Sequence, residues 1–221
     1  MTVLDPRLYA LIDPEQCGGH EPVALAKAVV EGGATVLQLR DKKSTSRAMF
    51  KRAREIMGAL AASGVPVLIN DRVDVALASG AAGVHLGQED MSAEIARRLL
   101  GEEAIIGITV RGEEEARAAP VDHADYVGVG GVFSTVSKEN PTTPIGLAGL
   151  TRLAALLRAR RPDIPIVAIA GIDAGNAAGI IAAGADGVAV ISALARANDP
   201  KAAARELRVL VDAALKKRKA S

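Results

Sequence analysis

Eight short apolar runs, evenly spaced with amphipathic segments between them, leave this 221-residue chain few folds to choose from. The runs cover 8–12, 35–39, 66–69, 83–86, 104–108, 125–129, 165–169 and 186–191. Each is continuous rather than strictly alternating, as expected of parallel strands covered on both faces. Helical periodicity fills the gaps. Residues 44–63 place Met49, Ala53, Ile56 and Leu60 on one stripe, Ser92 can cap a helix over 93–100, and Asp173 can cap one over 174–183 that stops at Gly184. Helices over 147–160 and 200–216 complete the set. Strand–helix alternation repeated eight times predicts an α/β chain folded as a single (β/α)8 TIM barrel over 1–221, ending in a short basic tail at 216–221.

Small residues recur at 33–36, 81–84, 124–127 and 184–188, each time at the entrance to an even-numbered strand, where a helix end must turn tightly. A doubly wound open sheet is the alternative, but no GxGxxG follows the first run, and no linker divides the chain. Aromatics make up 2% of residues and tryptophan is absent, so Ala, Val, Ile, Leu and Gly must fill the core, which suits small-faced helices packed closely on strands.

Charge and cysteine usage narrow the function. Basic and acidic residues balance at 27 and 26 with little aromatic interleaving, which excludes a nucleic-acid surface. The single cysteine, Cys17, permits neither an intramolecular disulfide nor a thiolate-rich metal site. No apolar run approaches the roughly 20 residues of a membrane span, and the N-terminus lacks the flank of a signal peptide, so a cytoplasmic protein is expected.

In a barrel of this kind the chemistry gathers where strands run into the βα loops. The run ends supply Gln38-Leu39-Arg40-Asp41-Lys42, Asn70-Asp71-Arg72, His85-Leu86-Gly87-Gln88-Glu89-Asp90, Thr109, then Gly128 through Thr135, Ser137 and Lys138, and finally Ala170-Gly171-Ile172 and Ile191-Ser192. Arg40, Lys42 and Lys138 can converge on a polyanion. Asp71 and Asp90 are hard oxygen ligands beside those cations, the pattern a Mg²⁺-bridged diphosphate needs. Glycine and hydroxyl residues after the seventh and eighth runs suit a monophosphate. Each has a plainer alternative: Asp71 and Asp90 as helix caps, Arg40 to Lys42 as a solvated loop, His85 as an interior histidine, Gln38 as filling for a polar layer. Cys17, His20 and His123 are assigned no function. The coincidence of complementary groups at one end of nearly every strand favours a site.

Four segments in order, QLRDK at 38–42, ND at 70–71, GVHLGQED at 83–90 and DYVGVGGVFSTVSK at 125–138, resemble the thiamin phosphate synthase family across almost the whole chain. The resemblance implies an enzyme that couples an aminopyrimidine methyl diphosphate to a thiazole phosphate and releases pyrophosphate by a dissociative, carbocation mechanism. It implies Asp71 and Asp90 on Mg²⁺, with Arg40, Lys42, Asn70, Thr109 and Lys138 on the diphosphate. Gln38, His85 and Gly87 would border the aminopyrimidine with Tyr9 nearby, and Thr135, Ser137, Gly171, Ile191 and Ser192 would hold the thiazole phosphate. The implied partners are these two small molecules, with no nucleic acid or membrane; a homodimer is open to such a barrel. Against the family pattern, Gly131 stands for proline, Ser137 for threonine, Thr109 for serine and Ala170 for a glycine. Residues 138–145 are expected to form a loop beside the site.

Two rivals share the fold. A thiazole tautomerase would place a histidine where Gly131 stands, and a non-catalytic phosphate-ligand-binding barrel would not need the full polar set. Schiff-base chemistry would want a lysine inside a strand, and none is predicted there.

Overall fold

The computed structural model describes residues 4–135 and 143–220. Eight strands close into one parallel barrel in sequence order: β1 (Leu8–Ile12), β2 (Val36–Leu39), β3 (Val67–Asn70), β4 (Gly83–Leu86), β5 (Ile105–Val110), β6 (Tyr126–Val129), β7 (Ile166–Ile169) and β8 (Gly187–Val190). β8 returns to β1 with Val188 opposite Leu8, so no edge is left open. The strands are buried almost throughout, which is why their sequences run apolar without visible alternation.

The alternation exists nonetheless, and it sorts two cores. Tyr9, Leu11, Val36, Leu68, Ile105, Tyr126, Val167 and Ala189 point into the barrel, while Leu8, Leu37, Ile69, Val84, Ile106, Val127 and Ala168 face the helices. Continuing the inward series toward the strand C-termini reaches Gln38, His85 and Thr109. Period two alone therefore delivers these polar residues to the top of the barrel.

Helices α1 (Pro22–Glu31), α2 (Ser46–Leu60), α3 (Val73–Ser79), α4 (Ala93–Leu100), α5 (Glu113–Ala118), α6 (Gly146–Arg160), α7 (Ala177–Ala182), α8 (Ser192–Ala195) and α9 (Pro200–Ala220) form the outer layer. The α2 stripe of Met49, Ala53, Ile56 and Leu60 is buried as its spacing predicts. Ser92 caps α4 by accepting from the Ile95 N–H at 3.3 Å.

Two expectations need correction. Asp173 does not cap a helix beginning at 174: its carboxylate accepts from the Gly175 N–H at 2.9 Å, Asn176 accepts from the Asp173 N–H, and this turn delays α7 to Ala177. Nor is 216–220 a tail, because α9 continues through it. Arg218 reaches back to Asp186 at 2.7 Å and to the carbonyls of Ile181 and Ala185, so the last helical turn is anchored under the barrel. Asp186 also pairs with Arg158, and at the entrance to β6 Asp125 pairs with Arg97 in the same manner. These ion pairs lie at the end of the barrel opposite the site, where they serve the fold.

Candidate active site

The floor of the site is a hydrogen-bonded chain across the barrel. Gln38 donates from Nε2 to the Tyr9 hydroxyl at 2.6 Å, and the Tyr9 and Tyr126 hydroxyls lie 2.8 Å apart. Tyr126 meets Nδ1 of His85 at 2.8 Å, and Nε2 of His85 meets Thr109 Oγ1 at 2.7 Å. Burial raises both phenol pKa values well above the ordinary one, so both remain neutral. Tyr126 fits only because β5 carries Gly107 beneath it: a Cβ there would stand 2.1 Å from the Tyr126 ring.

One atom of this floor is left over. Gln38 Oε1 is the sole buried side-chain oxygen or nitrogen among the described residues without a partner. A buried acceptor left bare costs about 1–3 kcal/mol. Gln38 itself lines a cavity bounded by Tyr9, His85, Thr109, Arg111, Tyr126 and Thr135 among others.

Charged groups stand on the rim from β1 to β4. Arg40 is paired with Asp13, a buried carboxylate at the end of β1 that also accepts from the Glu15 N–H and the Gln16 amide. Lys42 is paired with Asp71, and Asp41 is buried against Arg52. Asp71 and Asp90 lie close enough for their carboxyls to interact directly. Burial, and then Asp90, push the Asp71 pKa above its ordinary value of 3.8 against the opposing pull of Lys42. Neither aspartate is a helix cap: the residue before α3 is Arg72, with no side-chain cap, and α4 uses Ser92. Asp90 instead accepts from the Gly87 N–H at 2.6 Å, and Asp71 holds a left-handed backbone at φ 63°. This pair of like charges, partly desolvated, fits a divalent cation. Mg²⁺ characteristically takes one or two carboxylates and completes its shell with phosphate and water oxygens. Among the described residues no cluster of three or more metal-ligating side chains is present.

On the opposite side a second hollow joins the first, sharing Thr135, Ile169, Ala170 and Ala189 with it. Thr135, Gly171, Ile191 and Ser192 line it, as their placement after β6, β7 and β8 predicts. Gly171 is required twice over, by its φ of 65° and because a Cβ would approach the Ser134 carbonyl to 2.4 Å. Ala170 beside it holds φ 95° with a side chain. The chain after β6 is tied to β7 here, the Phe133 N–H donating to the Ala170 carbonyl.

The structure thus gathers Gln38, His85, Thr109 and Thr135 around one cavity, and sets Arg40, Lys42, Asn70, Asp71, Gly87 and Asp90 at or after the C-terminal ends of β2–β4, outside the lining of that cavity. Ser137 and Lys138, and most of 138–145, lie outside the described residues. Cys17, His20 and His123 stay clear of the cavity: Cys17 is buried, its thiol pushed up to about 11, and His20 meets the Ala197 carbonyl. Three residues of the site were not singled out from the sequence. Tyr126 and Arg111 could have been found by carrying period two along β6 and β5. Asp13 could not, because its partner Arg40 belongs to another strand.

A closed barrel with a cation–carboxylate rim on one side and a glycine–hydroxyl hollow on the other defines a phosphate-handling (β/α)8 enzyme. The family model described as thiamine monophosphate synthase matches residues 8–194. A thiamine-phosphate synthase of Agrobacterium fabrum is 53% identical over 218 residues, covering 99% of each chain, and one of Moorella thermoacetica is 47% identical over 204 residues, covering 92% of this chain and 95% of its own. The structure of a thiamine phosphate pyrophosphorylase from Pyrococcus furiosus superimposes with a TM-score of 0.84 at 37% identity, over 96% of this chain and 98% of that one. The chain belongs to the thiamine monophosphate synthase family, transferases that join a pyrimidine to a thiazole. No helix among the described residues is long and apolar enough to cross a membrane.

Proposed function

We propose that this barrel couples an aminopyrimidine methyl diphosphate to a thiazole phosphate, releasing pyrophosphate and forming thiamin phosphate. The observation that carries this reading is the Asp71–Asp90 pair: two carboxyls held together beside Lys42, at the same end of the barrel as the cavity that Gln38 lines. Gln38 Oε1 accepts from the pyrimidine amino group, and His85 and Gly87 border the ring. The diphosphate extends to the rim, where Arg40, Lys42, Asn70, Thr109 and Lys138 contact it. Thr135, Ser137, Gly171, Ile191 and Ser192 hold the thiazole phosphate on the far side.

Asp71 and Asp90 would hold Mg²⁺, whose chemistry there would be charge neutralisation of the leaving group. The carbon–oxygen bond breaks with its electrons going to pyrophosphate, and the thiazole nitrogen lone pair then forms the new carbon–nitrogen bond. Such a reaction needs leaving-group stabilisation and alignment rather than a nucleophilic side chain. The residues suit that demand: both cavity phenols are held neutral, and the one cysteine lies outside the cavity. Gly131 offers no histidine for tautomerase chemistry.

Incubating the protein with both substrates and Mg²⁺ should yield thiamin phosphate and pyrophosphate in equal amounts. Folded protein that gives neither product would refute the reading.

A further inference from the structure

The cations expected to grip the diphosphate are largely taken. Arg40 is held by Asp13 and Lys42 by Asp71, and the neighbouring Arg52 and Arg72 are held by Asp41 and Asp74. Arg111 is different. Among the described residues no carboxylate or carbonyl accepts from its guanidinium; only its backbone N–H is engaged, donating to Glu115 at 2.7 Å.

Its position is set by the strand before it. β5 sends Thr109 into the barrel and Val110 out into the helix layer, so the next residue turns inward again, and Arg111 borders the same cavity as Thr109. The stem is laid across β6 at Gly130, where a Cβ would stand 3.3 Å from Arg111 Cγ and 3.7 Å from Nε. The Gly130 N–H donates to the Val110 carbonyl at 2.9 Å, which fixes this junction of β5 and β6.

We propose that Arg111 is a further substrate-binding residue, its guanidinium taking diphosphate oxygens from the β5–β6 side of the cavity, while Arg40 and Lys42 follow β2. The assignment rests on the coupling reading above. The diphosphate is chosen over the thiazole phosphate because Thr109 lies two residues back on the same strand, whereas the β7–β8 hollow is lined without Arg111. A forked, permanently charged donor can hold two oxygens at once, and its contact strengthens as charge gathers on the departing pyrophosphate.

The test uses the full-length protein and its Arg111→Gln and Arg111→Lys variants, with melting curves confirming that each folds. Inorganic pyrophosphate with Mg²⁺ is titrated by calorimetry, which needs no turnover. Arg111→Gln should bind it about 10- to 100-fold more weakly, the range for a lost charge-assisted contact, and Arg111→Lys should recover part of the loss. In the coupling assay the Gln variant should show a raised KM for the pyrimidine diphosphate and a lowered kcat, with the KM for thiazole phosphate unmoved. Pyrophosphate binding equal to the parent's, or a change confined to the thiazole KM, overturns the proposal. A parent that binds pyrophosphate through Arg111 yet forms no product would sink the coupling reading while leaving the Arg111 assignment standing.

Discussion

The Tyr126 phenol and the His85 imidazole are stacked with ring centroids 5.5 Å apart, and the Tyr126 hydroxyl lies 2.8 Å from Nδ1 of His85. This contact links Gln38 and Tyr9 on one side of the cavity floor to Thr109 on the other. Tyr126→Phe deletes the middle hydroxyl, so Tyr9 and His85 each lose one hydrogen bond. Stability should fall by about 1–3 kcal/mol. With Nδ1 of His85 no longer held, kcat should fall roughly tenfold, the equivalent of about 1.4 kcal/mol of transition-state stabilisation. Chemical denaturation and steady-state rates check both. A variant with parental kcat would make the chain merely structural.

Asp71 predicts a pH dependence with a definite sign. Its pKa is raised in the fold by burial and Asp90, so between its ordinary value of 3.8 and the raised one the folded chain binds more protons than the unfolded chain. Without metal, this group's contribution to stability therefore declines as pH rises through that window. Metal binding needs the ionised form, so the Mg²⁺ concentration for half-maximal rate should increase as pH falls into the window. Asp71→Asn removes the repulsion at a position whose φ asparagine tolerates. The metal-free variant should melt higher than the parent and lose about 10- to 100-fold or more in rate. A lower melting point would mean that the Lys42 pairing outweighs the repulsion.

Ala170 sits where the chain turns from β7 toward the phosphate hollow, with φ 95°. A side chain in such a conformation costs of order 1–3 kcal/mol, and glycine returns some of that through a more flexible unfolded chain. Ala170→Gly should stabilise the protein by about 0.5–1 kcal/mol, measurable by urea denaturation. A neutral or destabilising change would show that the Phe133–Ala170 backbone pairing already holds this turn without strain.

Much of this molecule was legible from the residues alone. The eight strands, the closed barrel and the α2 stripe follow from local periodicity. So does the gathering of Gln38, Asp71, His85, Asp90 and Thr109 at one end, because every strand of a parallel barrel delivers its C-terminus to the same face. What the residues could not disclose was who meets whom. Arg40 and Asp13 are 27 positions apart, and Tyr9 and Tyr126 are 117 apart. Such partners are chosen by strand register and barrel closure, which no local pattern encodes. The same reason converts 216–220 from an expected basic tail into a docked helix end, since Asp186, the partner of Arg218, enters from β8. The sequence by itself determined the eight strands and the end of the barrel at which the polar run ends gather. Tertiary structure alone decided which charges are already neutralised there, and that among the described residues nothing accepts from the Arg111 guanidinium.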